Sequence, residues 1–365
     1  MQVPFGDPKR QHDMLRPELD EAIGRVLSSG LYILGPETRR FEQEFAAYCG
    51  VKECVGVANG TEALYLALTA LGIGPGDEVI TVANAGVYET LTILQTGATP
   101  IFVDIDPHSY NLDPGMLEAA ITPRTKAIVP VHLYGRMAAM NEIMSIAKRY
   151  ALAVVEDCAQ AHGASMQGRP AGSIGMCGCF SFYPTKNLGA IGDGGAIVTN
   201  DTAFADKLRR LRQYGWERKY YTSDLGGLNS RLDELQSAIL SVKLRHLPAW
   251  NARRQEMAEL YDELLTGAHV ITPAAAATSE HVYHLYVIRS QQRDALQAHL
   301  RTQGIGTDIH YPLPAHQQPV YTYLAPEAGL PYTEQLAGEV LSLPIYPELS
   351  NDELRTVANA VLSFE

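Results

Sequence analysis

The sequence predicts an α/β protein with two domains: a large domain with a mostly parallel sheet flanked by helices, and a smaller C-terminal α+β domain. Short apolar runs alternate with longer helical patterns over the first two-thirds of the chain. The run AIVPV at residues 127–131 has no polar side chain, which is typical of strands buried on both faces. The length of 365 residues exceeds what one small hydrophobic core organises.

The alternation of strand and helix patterns defines the large domain. Two segments have apolar side chains at helical spacing, residues 62–71 and 140–149. Five apolar runs rich in β-branched residues are predicted strands, at residues 78–82, 100–103, 127–131, 153–156 and 195–199. Because strands that alternate with helices are joined by crossovers, this order predicts a parallel sheet covered by helices.

The pattern changes in the last third of the chain. Residues 233–247 form one amphipathic helical pattern, Pro248 follows it, and residues 252–265 form another. A strand-like run and two helical patterns complete the region, at residues 284–288, 292–303 and 351–363. We therefore place a boundary near residue 245, with the large domain at residues 1–245 and the small domain at residues 246–365.

The composition argues against several classes of protein. The formal net charge is −12 and the pI is about 5.4. A general nucleic-acid binder needs a basic surface, so we expect no nucleic-acid partner. The five cysteines lack the spacing of a disulfide scaffold, and the pair Cys177 and Cys179 lacks a second pair for zinc, so we expect no metal. The polar start and the lack of long apolar runs predict a cytoplasmic protein with no membrane partner.

A glycine-rich loop that carries a lysine is the most informative segment. It lies within FSFYPTKNLGAIGDGGAIVT at residues 180–199, where Lys186 stands between two apolar runs. The glycines that follow allow unusual backbone angles and a close approach to a bound group. Loops carry solvated charges as well as functional groups. The segment alone therefore leaves two interpretations open, a surface lysine or a reactive amine.

A carboxylate follows the apolar run at residues 153–156. Ligands of open α/β sheets bind beyond the carboxyl ends of strands, which is the predicted place of Asp157. A carboxylate there loses solvation unless it meets a cation. A protonated pyridine nitrogen would be such a cation, and the contact would keep both groups charged. A helix-capping aspartate is the alternative interpretation.

A helix start with the sequence Asn59-Gly60-Thr61 precedes the helical pattern at residues 62–71. Free backbone N–H groups and the positive helix end make such a terminus a phosphate site, although the same residues also form ordinary caps. Together, the lysine, the strand-end carboxylate and the helix start supply what a pyridoxal phosphate (PLP) site requires. They are an amine for a Schiff base, a partner for the ring nitrogen and a phosphate anchor.

Six motifs, in this order, resemble those of the DegT/DnrJ/EryC1/StrS family, the sugar-aminotransferase branch of the aspartate-aminotransferase fold. They begin with SGLYILGPETRRFEQEFAAYCGVK at Ser29 and continue with NGTEALYLAL, EDCAQAHGA, FSFYPTKNLGAIGDGGAIVTN, GLNSRLDELQSAIL and LSLPIYPELS. They cover nearly the whole chain. The resemblance implies PLP fold type I, with a seven-stranded, mostly parallel sheet in the large domain.

The resemblance also implies roles for the matching positions. Lys186 would bind PLP covalently and shuttle the proton, and Asp157 would pair with the pyridinium nitrogen. Gln160 would lie near the 3-hydroxyl group of the cofactor. Gly60, Thr61 and Ser181 would hold the cofactor's phosphate. Asn229 would reach the phosphate of the cofactor bound to the neighbouring subunit. The last contact implies a homodimer with shared active sites.

One segment departs from the family pattern. Many members have Thr followed by Phe or Trp after the second strand, and the aromatic ring stacks on the cofactor. This chain has VANAGVYET, with Ala85 and Gly86 at those positions. Tyr88 either supplies the stacking ring or is a core or substrate-facing tyrosine. The ANAG-x-Y variant resembles the subset that acts on 3-keto-6-deoxyhexoses attached to a nucleoside diphosphate.

The implied reaction transfers an amino group from an amino acid to a nucleotide-linked keto-deoxysugar. L-Glutamate is the family's expected donor, and a dTDP-3-keto-6-deoxyhexose is the expected acceptor. PLP and pyridoxamine phosphate would alternate during turnover. Deoxyamino sugar and antibiotic biosynthesis use such products. The candidate substrate ligands are Arg218, Lys219, Arg231 and Tyr311.

Three alternatives stay open at this point. The acceptor could be a 4-keto sugar. The reaction could be a deoxygenation, although the relatives that perform it have a histidine in place of the lysine. The chain could also be a PLP-binding sensor or regulator without turnover, because a fold does not fix a function. The presence of Lys186, Asp157, Gln160 and Ser181 together favours catalysis.

Overall fold

A computed structural model describes residues 2–364 of the protein. The α-helices of this region are α1 (Pro8–Met14), α2 (Arg16–Ser29), α3 (Pro36–Tyr48), α4 (Gly60–Ala70), α5 (Tyr88–Thr96), α6 (Leu117–Ala120), α7 (Met140–Arg149), α8 (Thr202–Leu211), α9 (Glu234–Leu244), α10 (Leu247–Leu264), α11 (Arg293–Thr302), α12 (Pro331–Glu339) and α13 (Asn351–Leu362). The strands are β1 (Glu53–Val57), β2 (Glu78–Thr81), β3 (Thr99–Phe102), β4 (Thr125–Ile128), β5 (Ala153–Asp157), β6 (Ser165–Met166), β7 (Arg169–Pro170), β8 (Cys177–Ser181), β9 (Gly195–Thr199), β10 (Trp216–Arg218), β11 (Tyr221–Thr222), β12 (Tyr286–Arg289) and β13 (Val340–Leu343).

Seven strands form the central sheet, in the order β1-β9-β8-β5-β4-β2-β3. The pairs β2–β3, β2–β4, β4–β5 and β5–β8 are parallel. Strand β9 is antiparallel to both of its neighbours, β1 and β8. The predicted class, α/β with a mostly parallel seven-stranded sheet flanked by helices, is confirmed.

Two strands of this sheet were not predicted. Strand β8 has the sequence CGCFS, without a β-branched residue, and strand β1 has the sequence ECVGV, in which a glycine interrupts the two valines. Close packing explains the glycine in β8, because a Cβ atom on Gly178 would collide with the backbone of Gly172. The small side chains are therefore imposed by a tertiary contact, which strand propensity does not detect.

The helix predicted at residues 233–247 is shorter in the structure, where α9 covers Glu234–Leu244. The next helix, α10, begins at Leu247 rather than at the expected residue 252, with Pro248 in its first turn. Proline suits the first turn because its missing N–H has no helical partner there. Pro248 therefore helps to begin a helix, and the expectation of a separating segment was wrong.

The C-terminal region has its own small sheet and core. Strands β12 and β13 pair antiparallel, which fits the α+β description. A hydrophobic cluster gathers Tyr261, Tyr286, Leu296 and Val357, together with Val3 from the start of the chain. A second cluster, centred on the large sheet, also contains residues beyond 280. The division of the chain at residue 245 stays a prediction.

The helices give one further result. Within residues 2–364, none is both long enough and apolar enough to cross a membrane.

Candidate active site

Four chain segments meet at one edge of the large sheet. Strand β5 ends at Asp157 and the parallel strand β8 ends at Ser181. Strand β1 ends there at Val57, which is paired with Gly195, the first residue of antiparallel β9. Because β9 runs against its neighbours, its beginning lies beside their carboxyl ends. This edge is where α/β sheets bind ligands.

Helix α4 begins at this edge with an anion-binding terminus. The Asn59 side chain accepts a hydrogen bond from the N–H of Glu62 at 2.8 Å and so caps the helix. The N–H groups of Gly60 and Thr61 have no hydrogen-bond acceptor among residues 2–364. Two free donors at the positive end of a helix suit a phosphate group.

The helix start packs against strand β8 too tightly for a side chain on Gly60. A Cβ atom there would lie 2.7 Å from Cβ of Ser181 and 3.3 Å from its Oγ. A Cβ atom on Gly195 would lie 2.9 Å from the Gly60 nitrogen. These glycines bring two free N–H groups and one hydroxyl group together. We call Gly60, Thr61 and Ser181 the cradle.

Lys186 lies in the loop between β8 and β9, which we call the lysine loop, residues 182–194. Its N–H donates to the carbonyl oxygen of Tyr183 at 2.8 Å. The next residue, Asn187, is buried and its Nδ2 donates to the carbonyl oxygen of Val282 at 3.1 Å. The loop is therefore held by defined contacts on both sides of the lysine, unlike a solvated surface loop.

The environment of Lys186 shifts its amine toward the neutral form. The Lys186 side chain keeps partial contact with solvent, yet desolvation by the surrounding protein lowers its pKa to about 8. The nearby carboxyl groups of Asp157 and Glu89 oppose this effect. A neutral amine near physiological pH can attack a carbonyl group or accept a proton.

Asp157 and Gln160 are fixed by hydrogen bonds beside the lysine. Asp157 is 5% exposed, and its Oδ1 accepts the N–H of Ala159 at 2.8 Å. The Oε1 atom of Gln160 accepts the N–H of Tyr134 at 2.6 Å, and its Nε2 donates to the Tyr311 hydroxyl at 3.3 Å. The structure thus joins the predicted substrate ligand Tyr311 to the predicted cofactor ligand Gln160.

Tyr88, the first residue of helix α5, lies near Tyr311. Gly86 has a φ of +92°, and a Cβ atom on it would lie 3.0 Å from the Tyr88 ring and 3.6 Å from the Tyr311 ring. Burial raises the pKa of Tyr88, and the nearby acids Glu89 and Asp157 add to this effect. The ring is 47% exposed, so it borders the site and does not belong to the core. Stacking on the cofactor stays a prediction.

Three other predicted ligands, Arg218, Lys219 and Asn229, lie on the surface of the protein. Arg218 and Lys219 are exposed at the turn of the β10–β11 hairpin, where their charges lie over the rings of Tyr221 and Tyr220. Asn229 is exposed as well. These residues make no hydrogen bond or ion pair with the cradle, Lys186 or Asp157 in the described chain. Their roles as ligands stay predictions.

Arg231 differs from the hairpin residues because it is half-buried. The preceding residue, Ser230, accepts the N–H of Ala58 at 3.1 Å, two residues before Gly60. Arg231 is therefore adjacent in sequence to Ser230, which contacts the chain just before the cradle residue Gly60. No side-chain ion pair of Arg231 occurs within residues 2–364, so its charge is available for an anionic ligand.

The sequence interpretation missed two residues of the site. Tyr134 donates its N–H to Gln160 and its hydroxyl group to the carbonyl oxygen of His310. Glu89 is 2% exposed and hydrogen-bonded to Asp157. A signal for Glu89 was present, because it lies four residues before the buried Ile93 and therefore on the same face of the helix. An acid on the buried face of a helix indicates a special partner.

A buried triad elsewhere has the donor types of a metal site but is occupied by hydrogen bonds. His132, Glu156 and Cys158 offer atoms within 4.8 Å of one another. Glu156 accepts backbone N–H groups from residues 172, 174 and 175, and also contacts His132 Nε2 at 2.9 Å. These bonds satisfy the buried carboxylate, so we assign this triad a structural role.

The geometry of the sheet edge fits PLP. The cradle offers donors to a phosphate, Asp157 offers a buried carboxylate to a ring nitrogen, and Lys186 offers an amine that is readily neutral. These are the three interactions that a covalently bound PLP needs from a protein. The side chains come from residues far apart in sequence, so their meeting is a property of the fold.

Comparison with known proteins is consistent with this fit. The model of the DegT/DnrJ/EryC1/StrS aminotransferase family matches residues 13–362. The chain belongs to this family. It is 49% identical to the dTDP-3-amino-3,4,6-trideoxy-alpha-D-glucose transaminase of Streptomyces venezuelae, over 98% of this chain and 95% of that protein. It is also 47% identical to the pleiotropic regulatory protein of Geobacillus stearothermophilus, over 100% and 99% of the two chains.

Solved structures of family members superpose closely on this fold. The S. venezuelae protein DesV, crystallised with a ketimine intermediate, gives a TM-score of 0.95 at 48% identity, over 99% of this chain and 97% of DesV. Bacillus subtilis NtdA, crystallised with pyridoxamine phosphate (PMP), gives 0.92 at 33% identity, over 99% and 84% of the chains. The chain is thus a PLP-dependent aminotransferase of fold type I.

Proposed function

We propose that this aminotransferase transfers an amino group from L-glutamate to the 3-keto group of a nucleoside-diphosphate-linked keto-deoxysugar, with a dTDP-3-keto-6-deoxyhexose as the acceptor. The observation that carries the proposal is the meeting of Lys186, Asp157 and the cradle at one edge of the sheet. Lys186 and Asp157 would be catalytic, and the cradle residues with Gln160 and Tyr88 would hold the cofactor.

The residues would divide the work as follows. PLP supplies an aldehyde that carries the amino group and a ring that withdraws electrons from the reacting carbon. The free N–H groups of Gly60 and Thr61 would bind its phosphate, with the Ser181 hydroxyl beside them. Asp157 would keep a proton on the ring nitrogen. Lys186, in its neutral form, would take a proton from the donor's α-carbon and pass it to the carbon of the cofactor's former aldehyde group, and in the second half-reaction it would move a proton in the opposite direction, to the acceptor's carbon.

The chemistry of the acceptor supports the candidate substrate ligands. A nucleoside diphosphate carries negative charge, and a protein of net charge −12 must bind it through local donors. Arg218, Lys219 and Arg231 are cations near Asn229 in sequence, and none of them forms an ion pair among the described residues. Tyr311, bonded to Gln160, would contact the sugar near the reacting carbon.

The position of the amino group rests on two arguments. The segment VANAGVYET resembles that of proteins acting on 3-keto sugars. The S. venezuelae relative is named for a sugar with its amino group at carbon 3. A 4-keto acceptor is the competing possibility, and the carbon that carries the new amino group in the product decides between them.

We also propose a cytoplasmic homodimer with shared active sites. Asn229 and the β10–β11 hairpin are exposed, and Tyr220 and Leu225 in this segment are 75% and 93% exposed. Apolar side chains that protrude so far from one chain are typical of interfaces. In the dimer, Asn229 would approach the partner's cofactor phosphate. Sedimentation of the wild type and an Asn229→Ala variant, with PLP titration of both, tests the assembly and the contact separately.

The first experiment is a two-step spectroscopic assay. The purified protein is incubated with PLP, its visible spectrum is recorded, and L-glutamate is added. We expect the visible band to bleach as 2-oxoglutarate forms in equal amount. A dTDP-3-keto-6-deoxyhexose should then restore the band and yield a 3-amino sugar, identified by mass spectrometry and NMR. Failure to bleach with any amino acid would refute the transamination, and a 4-amino product would refute the regiochemistry.

A regulatory role is the second candidate, because the Geobacillus relative is named a pleiotropic regulatory protein. A sensor would bind PLP and respond to a ligand without turning over. The lowered pKa of Lys186 and the nearby carboxyl group of Asp157 argue for turnover instead. With the keto sugar also present to take the amino group, formation of more than one equivalent of 2-oxoglutarate per site would establish turnover, since a sensor stops at or before the first equivalent.

A further inference from the structure

Glu89 is a buried acid that the proposed mechanism leaves without a role. It is the second residue of helix α5 and is 2% exposed. Its carboxyl group is hydrogen-bonded to that of Asp157, and the charge of Lys186 acts on it from the lysine loop. The phenol groups of Tyr88 and Tyr311 face the same acids. Glu89 thus belongs to the site, next to the carboxyl group of Asp157 that would meet the cofactor.

Two carboxyl groups in contact can form a hydrogen bond only if one of them carries a proton. Ionising both would also place two like charges side by side in a region of low exposure. Burial, with the neighbouring Asp157, raises the pKa of Glu89 well above its ordinary value. The pair therefore holds one proton and one negative charge.

The local contacts place the proton on Glu89. Asp157 Oδ1 accepts the N–H of Ala159 at 2.8 Å, and a donated backbone hydrogen bond stabilises the ionised form of a carboxyl group. Among residues 2–364, Glu89 accepts a hydrogen bond from its own backbone N–H alone, and its burial, the largest effect on this group, favours the protonated form. The neutral carboxyl group of Glu89 can then donate its O–H to Asp157.

We propose that protonated Glu89 is a positioning residue, which donates a hydrogen bond to Asp157 and holds that carboxylate toward the ring nitrogen of the cofactor. The inference rests on the proposed function, since it assigns Asp157 the role described above. With the donors Ala159 and Glu89 both bound, the Asp157 side chain cannot rotate without breaking a hydrogen bond. Because Glu89 is neutral, the carboxyl pair carries one negative charge, which would balance the one positive charge of the protonated ring nitrogen.

The variants Glu89→Gln and Glu89→Met separate this role from others. Glutamine keeps a donor in the same place, whereas methionine fills a similar volume and has none. The lost hydrogen bond should weaken PLP binding about tenfold in Glu89→Met, and Glu89→Gln should stay within about threefold of the wild type. If Glu89 instead acts as a second negative charge, the two variants will lose affinity equally, and the proposal is overturned.

A double-mutant comparison tests whether Glu89 acts through Asp157. In an Asp157→Asn background, Glu89→Met should change PLP affinity by less than about twofold, because the hydrogen bond no longer orients a carboxylate. An undiminished tenfold effect there would contradict the proposal. Thermal unfolding of the cofactor-free proteins accompanies each titration, so that a loss of folding is not taken for a loss of affinity.

Infrared spectroscopy of the cofactor-free protein gives a test that does not depend on PLP. The wild type at pH 7 should show the band of a buried protonated carboxyl group, and Glu89→Gln should lack it. Absence of the band from the wild type would overturn the proposal while leaving the aminotransferase assignment untouched. If the band is present but the wild type binds no PLP, the proposed function fails and the positioning role fails with it.

Discussion

The reactivity of Lys186 toward PLP should level off at a pH far below that of an ordinary lysine. Only the neutral amine attacks the aldehyde. With a pKa of about 8, roughly 9% of Lys186 is neutral at pH 7. An unperturbed lysine, with a pKa of about 10.4, is roughly 0.04% neutral at that pH. The structure therefore predicts about 200-fold more of the reactive form at pH 7.

The sign and shape of the pH dependence follow from the same value. Below about pH 8 the capture rate should rise about tenfold per pH unit, because the neutral fraction does. Above that pH nearly all of the amine is neutral, so the rate should become constant. A solvated lysine would continue to rise for two further pH units or more.

Stopped-flow absorbance can follow capture of PLP by the cofactor-free protein from pH 6 to pH 10. N-acetyl-lysine methylamide under the same conditions corrects for the titration of PLP itself, and Lys186→Ala should show no band. A corrected rate that still rises tenfold per unit between pH 9 and pH 10 would refute the argument that desolvation lowers this pKa.

Three further variants test the site and the fold. Asp157→Asn should fold normally but lose activity on the order of 10²- to 10³-fold, measured as 2-oxoglutarate formation, and normal rates would remove its role. Gly60→Ala should weaken PLP binding roughly 10- to 150-fold by loss of a charge-assisted hydrogen bond, whereas Gly24→Ala, where a Cβ meets nothing within 4 Å, should not; equal affinities would disprove the steric argument. Arg10 and Ser350 lower the pKa of Glu353 from 4.5 to about 2, so the stability that Glu353 adds is present above pH 4.5 and lost toward pH 2. Glu353→Gln should therefore lower the melting temperature at pH 6 but not at pH 2, and a pH-independent difference would contradict this linkage.

The sheet could be predicted where local pattern and tertiary environment agree. Strands β2, β5 and β9 lie within a residue of the predicted runs, because their β-branched residues suit a strand buried on both faces. Helix α3 was not predicted, and its start shows why. Its first N–H groups are capped by the side chain of Glu234, which accepts hydrogen bonds from Gly35, Glu37 and Thr38. A cap supplied from so far along the chain leaves no local signal.

The same limit applies to the site. The glycine-rich loop and the strand-end carboxylate singled out Lys186 and Asp157, since both signals are local in sequence. The hydrogen bond between Gln160 and Tyr311 and the contact between Glu89 and Asp157 depend on how distant segments pack. A sequence shows that Glu89 is an unusual residue on a buried face, but only the fold shows which group it meets.

The direction of strand β9 determines how the reactive amine is delivered. Since β9 is antiparallel to β8, the lysine loop leaves the sheet at Ser181 and returns at Gly195 on the same edge. A parallel strand would have required a crossover to the opposite edge, usually through a helix. The amine is therefore carried by a hairpin connection that never leaves the ligand-binding side. Such a connection can change in length or composition without displacing any covering helix, which leaves the reactivity of the lysine open to tuning while the sheet stays constant.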